Sequence, residues 1–522
     1  MVKGRGMARN DMGAERTAPP AVRGAEQARP SSLALPIGLA VMAATLVLTL
    51  LAAQPPAPRP ATAPASAFSA ARAMATSDCP ALLLTAHYDS VPAGPGAADD
   101  MAGVATILEV ARILRGEATP RNPVIVLFSD GEEIALLGAE AFVAEHPWAD
   151  QVGAVVNLEA NGTHGQSVLF ETAGDNTWLI DVFAAASRPV ASSVFDAIYE
   201  LIPFNTDLSV YEEAGLAGFN FAFIDEHPQY HTPLDNPANL SPGSLQHHGD
   251  NTLALARALG ATDLANPPPG RSVFQDLFSL VLLRWPEPWT AGIALVVAAG
   301  WVGVGIAAAR RGDLSMRPLM WGLLAFPAGV AAAAGLGFVL GEVVKTVSGA
   351  AIPWYAVPLP MRVAAGVASL LATVVLASAL ARRAGFWGRY LGVWCWWALL
   401  SVAVALVFPG LSPLALIPAT LAAVAALVVT VSKWRGSSRT WEIAALIGLF
   451  ATSWAWLGFT RGSDYSALGP DLGPTVGVAV GLAATALMPV VAPAAAYGRF
   501  WRPTLAGAVL LTLLSAAVAT QV

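Results

Sequence analysis

From Trp289 onward the chain is a series of apolar runs, each long enough to cross a bilayer, and this constrains the fold before any motif is read. The runs stand at Trp289 to Ala309, Leu319 to Leu340, Met361 to Ala381, Tyr390 to Phe408, Leu414 to Val431, Trp441 to Phe459, Thr475 to Ala496 and Thr504 to Thr520. A hydrocarbon core about 30 Å thick takes about 20 helical residues. Within it each backbone polar group must find its partner inside the protein, which favours helices. One more run, Leu33 to Ala53, precedes a polar middle, so about nine transmembrane helices are expected. Hydrophobic residues make up 55% of the chain and charged residues only 12%. That is not the composition of an ordinary soluble enzyme. The net charge of -7 says little by itself, but there is no basic tract of the kind a nucleic-acid binder needs.

Charge and punctuation divide the chain. Residues 1–32 carry Lys3, Arg5, Arg9, Arg16, Arg23 and Arg29 among Pro, Gly and Ala, and read as a disordered basic tail held in the cytoplasm. Residues 33–53 read as an uncleaved anchor, because the apolar core exceeds the ~7–15 residues of a signal peptide. A Pro/Ala linker at 54–65 leads to a polar domain at 66–262, and Pro267 to Pro269 separate it from an eight-helix membrane domain at 289–520. Basic residues then recur in every second loop: Arg310, Arg311 and Arg317; Arg382, Arg383 and Arg389; Lys433, Arg435 and Arg439; Arg499 and Arg502. Counted from a cytoplasmic N-terminus, these loops face the cytoplasm and the polar domain lies on the other side. That side is periplasmic or extracellular in a bacterium and lumenal in a eukaryote. Cys79 and Cys395 fall in different regions, which excludes a disulfide framework or a cysteine zinc site.

In the polar domain, strand-like runs at Ala81 to Ala86, Pro123 to Phe128, Gly153 to Leu158 and Ala217 to Ile224 alternate with helical patterns at Met101 to Arg115, Ala135 to Glu145, Thr177 to Ser187 and Ser241 to Leu259. Alternation of this kind predicts an α/β domain with a mostly parallel central sheet flanked by helices. In such sheets binding groups gather beyond the carboxyl ends of the strands. His87, Asp99, Glu132, Glu133, Glu159 and His231 each follow a short apolar run.

Those six residues match the needs of a two-zinc hydrolase. Zinc accepts imidazole nitrogen and carboxylate oxygen, and a close pair of ions needs one shared carboxylate plus separate ligands for each. His87, Asp99, Glu133, Glu159 and His231 supply that set. Asp89 stands two positions after His87, where its carboxylate can take the imidazole N–H and fix the tautomer. The adjacent acids Glu132 and Glu133 can divide metal binding from proton acceptance. Simpler roles compete: Asp99 and Asp100 as caps of the helix near Met101, and Glu132 and Glu133 as first-turn acids on a helix dipole. His227, His247 and His248 read as surface residues, and the tryptophans Trp394, Trp396 and Trp397 as an interfacial belt. Asp207 is a lesser candidate for shaping a substrate pocket.

The segments AHYDSV at 86–91, PGAADDMAGV at 95–104, FSDGEEIALLGAEAF at 128–142, NLEANG at 157–162 and YHTPLDN at 230–236 together resemble the M28 family of zinc metallopeptidases. With nine spans around an exported domain and Glu159 where soluble members have Asp, the chain is similar to the endoplasmic reticulum metallopeptidase and vacuolar membrane protease branch. The resemblance implies that Asp99 bridges two zinc ions, that His231 and Glu133 complete one site, and that His87 and Glu159 complete the other. It also implies that Glu132 is the general base and that the Asp99–Asp100 peptide is cis. One departure stands out: FSAARAMA at 68–75 runs almost directly into CPALLLTAHYDS, where the family has a helix and further strands. A sheet edge and an apolar face are then left to be covered by something else.

The expected function is a membrane-bound, zinc-dependent exopeptidase, an aminopeptidase hydrolysing peptide bonds with a two-zinc-activated water, its partners being peptide substrates and the lipid bilayer. A carboxypeptidase or glutaminyl-cyclase-like activity shares the fold and ligands. A catalytically silent receptor or scaffold is the rival from another class, with retention of every ligand against it. Substrate identity and oligomeric state are not written in these motifs.

Overall fold

A computed structural model describes residues 79–185, 188–201, 204–350, 359–431, 443–448, 450–452, 472–489 and 501–519. Five strands form the central sheet: β1 (Ala81–His87), β2 (Val124–Ser129), β3 (Val152–Ala160), β4 (Val168–Ala173) and β5 (Gly218–Phe223), in the order β2-β1-β3-β5-β4. The four strands expected from apolar runs pair in parallel, and β4 runs antiparallel to β5. All seven residues of β1 are buried, as a strand covered on both faces requires. Leu82, Leu84 and Ala86 pack on one side with Ile107 and Leu255. Ala81 and Leu83 turn to the other, with Phe142, Leu208 and Tyr211. The strand's period of two thus feeds two apolar layers.

Helices cover both faces: α1 (Met101–Leu114), α2 (Glu132–Ala135), α3 (Leu137–Glu145), α4 (Thr177–Phe183), α5 (Ser193–Tyr199), α6 (Asp207–Glu213) and α7 (Pro242–Ala261). The helix expected from Ala135 to Glu145 is divided at Leu136, which adopts a positive φ of 59° and leaves Glu132 and Glu133 in a separate single turn. Packing also continues beyond residue 262. A hairpin of β6 (Ser272–Leu277) and β7 (Val281–Pro286) buries Phe274 and Leu282 in the core beside β4 and α4.

His227, His247 and His248 are not surface residues. His247 and His248 are each 1% exposed and His227 is 9% exposed. The Nδ1 atom of each meets a group distant in sequence, for His227 the Asn161 carbonyl at 2.9 Å. The Ser167 main-chain N–H donates to His247 Nδ1 at 3.1 Å, and His248 Nδ1 lies 2.9 Å from the Ser167 hydroxyl. Hydrogen bonds of this kind make burial of a polar ring tolerable.

The C-terminal region is helical. Among the described residues four helices are long and apolar enough to cross a membrane: Glu287–Arg310, Met316–Ser348, Leu359–Leu380 and Arg382–Val407. Pro413–Val429 is a shorter apolar helix. The expected anchor at 33–53, the tail and linker before it and after it, and parts of the later spans lie outside the described residues. The basic loop expected at 382–389 is short: two helices, Leu359–Leu380 and Arg382–Val407, follow one another, with a kink at Gly385 (φ 60°). Arg389 lies inside the bundle, 2% exposed, and its Nε donates to the Met488 carbonyl at 2.8 Å.

The Trp cluster is packing, not a belt. Trp394 and Trp397 are fully buried, and Trp394 stacks on Trp301 with centroids 5.5 Å apart. Trp397 donates to Thr485 Oγ1 at 3.2 Å and Trp396 to the Leu323 carbonyl at 2.8 Å. The Trp396 and Trp397 N–H groups thus find acceptors inside the bundle, which favours burial of their rings. Close backbone approach at Gly322 and Gly388 lets two of the helices cross, since a Cβ at Gly322 would meet the Gly388 carbonyl and one at Gly388 the Pro318 carbonyl. The two regions touch where the Ser193 hydroxyl of α5 donates to the Gly410 carbonyl at 2.8 Å.

Candidate metal centre and hydrolytic site

Three strand ends deliver the site. β1 ends on His87, β3 carries Glu159 one residue before its end, and the turn after β2 leads into Glu132 and Glu133. Asp99 arrives from the loop before α1, and its peptide bond to Asp100 is cis. Asp100 caps that helix, its Oδ1 accepting from the Gly103 N–H at 3.0 Å. Capping and site placement are therefore split between the two neighbouring acids. His231, in a positive-φ conformation (58°), comes from the loop after β5.

Five of these residues converge in two overlapping triads whose ligating atoms lie within 4.8 Å of one another: His87, Asp99 and Glu159, and Asp99, Glu133 and His231. Asp99 belongs to both. Its Oδ1 lies 3.2 Å from His87 Nε2, and its Oδ2 lies 3.1 Å from His231 Nε2. His231 Nε2 is also 3.0 Å from Glu133 Oε2, and His87 Nε2 is 3.6 Å from Glu159 Oε2. Glu132 stands beside them, half-buried.

The supporting contacts define which atoms face the cradle. The Asp89 carbonyl oxygen lies 3.0 Å from His87 Nδ1. A carbonyl only accepts, so Nδ1 carries a proton and donates, leaving Nε2 turned to Asp99 and Glu159. The Asp89 carboxylate, expected on the imidazole, is 3.6 Å from it and is committed elsewhere. It accepts from the main-chain N–H groups of Glu132 at 3.2 Å and Glu133 at 3.3 Å. These are free donors at the start of α2, where an anion is favoured.

Two further supports carried no site signal of their own in the sequence. Asp235 accepts from the N–H groups of Ala98 at 2.6 Å and Asp99 at 3.1 Å, which fixes the backbone that presents Asp99. It sits four residues after His231 inside the YHTPLDN segment, so that segment was the only available hint. Asn157 donates to Glu159 Oε1 at 3.0 Å. Its position two residues before Glu159 on the same strand places both side chains on one face. Asp207, weighed as a pocket residue, is buried and accepts a hydrogen bond from the Ser129 hydroxyl at the end of β2.

The electrostatics of the cradle are those of a cation site. Burial works against protonation of His87, yet the Asp99 and Glu159 carboxylates outweigh it and hold its pKa far above the usual imidazole range. The same balance, with Asp99 and Glu133 as partners, pushes His231 up to about 9. Burial, with Glu159 as the nearest added negative charge, pushes the Glu132 carboxyl up to about 9. Three buried or half-buried carboxylates thus gather positive charge onto two imidazoles. Glu133 Oε1 is in addition buried with no hydrogen-bond partner among the described residues. Nitrogen and oxygen donors together with an unsatisfied carboxylate oxygen fit zinc.

Residues 71–256 match the model of peptidase family M28. Over 216 residues the chain is 36% identical to Endoplasmic reticulum metallopeptidase 1 of Mus musculus, covering 40% of this chain and 24% of that protein. The human protein of that name is 34% identical over 229 residues, covering 42% of this chain and 25% of its own length. The Vacuolar membrane protease of Candida albicans (strain WO-1) is 41% identical over 201 residues, covering 38% of this chain and 23% of that protein. The chain thus spans about a quarter of the length of these relatives.

Proposed function

With residues 71–256 matching the model of peptidase family M28, we propose that this chain is a membrane-anchored zinc exopeptidase, an aminopeptidase that removes residues from the free amino end of peptides. The observation that carries the reading is Asp99, whose two carboxylate oxygens each face a different histidine within two overlapping ligand triads. His87, Asp99 and Glu159 would hold one zinc ion, and Asp99, Glu133 and His231 the other. When bound, zinc supplies Lewis-acid polarisation of a peptide carbonyl and lowers the pKa of water.

The chain's own residues supply the rest. Glu132 takes the proton of the attacking water and returns it to the leaving amine. Asp89 holds Glu132 and Glu133 through their N–H groups and anchors His87 through its carbonyl. Asn157 orients Glu159, and Asp235 orients Asp99.

The bilayer enters through the four long apolar helices and through relatives whose names place them in the endoplasmic reticulum and the vacuolar membrane. Nine spans, a cytoplasmic N-terminus and a peptidase domain on the opposite side complete the proposed topology. The test is digestion of a peptide by the detergent-purified full chain. Release of its first residue, stopped by chelator and by N-terminal acetylation, is the expected result. Cleavage at the carboxyl end, or none with zinc present, contradicts the reading.

A further inference from the structure

Glu159, proposed above as a metal ligand, is one end of a row of hydrogen bonds that crosses three strands. Asn157 on β3 is in register with Asn220 on β5, which is in register with Glu171 on β4. The Asn157 amide donates to Glu159 Oε1 at 3.0 Å and to Asn220 Oδ1 at 3.0 Å. The Asn220 amide in turn donates to Glu171 Oε2 at 2.7 Å and to Thr206 Oγ1 at 2.7 Å. Both amides spend both of their N–H groups, so the orientation of each is fixed and the row ends on a carboxylate at either side.

The two carboxylates are alike in one respect. Each gives one oxygen to the row, and the other oxygen of Glu159 faces His87. Glu171 Oε2 is the atom held by the row, and the charged side chains that weigh on Glu171 are Asp196, Glu212 and Glu159, all of them acids. The carboxyl is mostly buried, and burial pushes it up to about 8. No basic side chain of the described residues stands among these neighbours, and a buried carboxylate is costly without a cation to pair with it.

We propose that Glu171 selects the substrate, taking the charged end of a lysine or arginine as the first side chain of the peptide. The inference rests on the peptidase reading above. Distance decides in favour of the side chain over the amino terminus. Neighbouring strands are about 4.8 Å apart, so Glu171 lies two strands, roughly 10 Å, from the strand that carries Glu159. A substrate's α-amine sits only about 2.5 Å from its scissile carbonyl carbon and stays with the metal ligands. The four-carbon stem of lysine reaches roughly 6 Å further and spans the gap. Tyr199 suits the stem: its ring packs edge-on against Phe170 at 5.0 Å, and it lies within electrostatic reach of Glu171, Glu159 and Glu132. Aliphatic stems pack along such apolar faces while the charged head keeps its polar partner.

The experiment uses the full chain in detergent with added zinc and compares kcat/KM for the 4-nitroanilides of lysine, arginine, leucine and methionine. The parent is expected to prefer lysine and arginine. Glu171→Gln should lower the lysine-to-leucine ratio on the order of 10–100-fold, the scale of a charge-assisted hydrogen bond. Glu171→Asp, which keeps the charge, should retain part of the preference and decides the matter if the Gln variant is poorly folded. Equal rates for lysine and leucine in the parent, or a ratio that neither variant changes, overturn the proposal while leaving the peptidase reading intact. A zinc-loaded parent that cleaves none of the four overturns both.

Discussion

Asp89 reaches from the loop after β1 to the first turn of α2, where its Oδ1 accepts from the Glu132 main-chain N–H at 3.2 Å. The same residue holds His87 through its carbonyl oxygen, which no side-chain substitution removes. Asp89→Ala is therefore expected to lower kcat on the order of 10–100-fold, the usual cost of losing a group that orients a ligand or base. Zinc content should hold, because the His87 contact persists. Asp89→Asn, which keeps one acceptor oxygen, should lie between. Loss of zinc in parallel with turnover would show that the carboxylate holds the metal site itself.

Glu132→Gln should reduce turnover on the order of 100-fold or more, since an amide keeps the shape but cannot take a proton. Zinc content and melting temperature should stay at the parent values. Turnover close to the parent's assigns the proton transfer to another group.

Asp99→Asn should weaken both metal sites together, because one carboxylate faces both histidines. Zinc titration of the stripped protein is the measurement. One site weakened and the other at parental affinity removes Asp99 from the shared position.

The buried histidines predict a pH dependence. Burial lowers His247 to about 4 and His248 to about 3, against an ordinary 6.5. For a depressed imidazole the stabilising contribution is complete above pH 6.5. It is lost as pH falls toward the folded-state value, by up to about 1.4 kcal/mol per pH unit for each proton. His248→Gln should thus melt below the parent at pH 7.5, with the gap narrowing as pH is lowered from 6.5 to 4. Both proteins are compared in chelator, so that metal binding does not contribute. A gap that stays constant or widens rules out a neutral His248 as the source.

Much of the domain could be read from residue patterns. β1, β2, β3 and β5 are short apolar runs bounded by polar turns, and the sequence reading placed each within about two residues, the ordinary uncertainty of such ends. The site residues could be read because each stands in a short motif just after such a run. β4 was missed because VLFETA mixes apolar and polar residues as an antiparallel edge strand can. Helices α5 and α6, seven residues each, are too short to display a 3.6-residue period. Burial of His247 and His248 depends on Ser167, some 80 residues away, and local sequence carries no trace of it. The role of Asp89 was half legible: the residue was found, but main-chain geometry decides that its carbonyl and not its carboxylate meets the imidazole. Trp394 and Trp397 show the same limit, since the ring stacked on Trp394 and the acceptor of Trp397 come from other helices.

The central claim is that the cradle around Asp99 holds two zinc ions, and counting metal tests it most directly. The full chain, purified in detergent, stripped with chelator and reloaded with excess zinc, is analysed for zinc per chain after desalting. Two zinc ions per chain are expected, falling well below two when His87 or His231 is replaced by alanine. One ion or none in the parent, or two that survive loss of either histidine, contradicts the account.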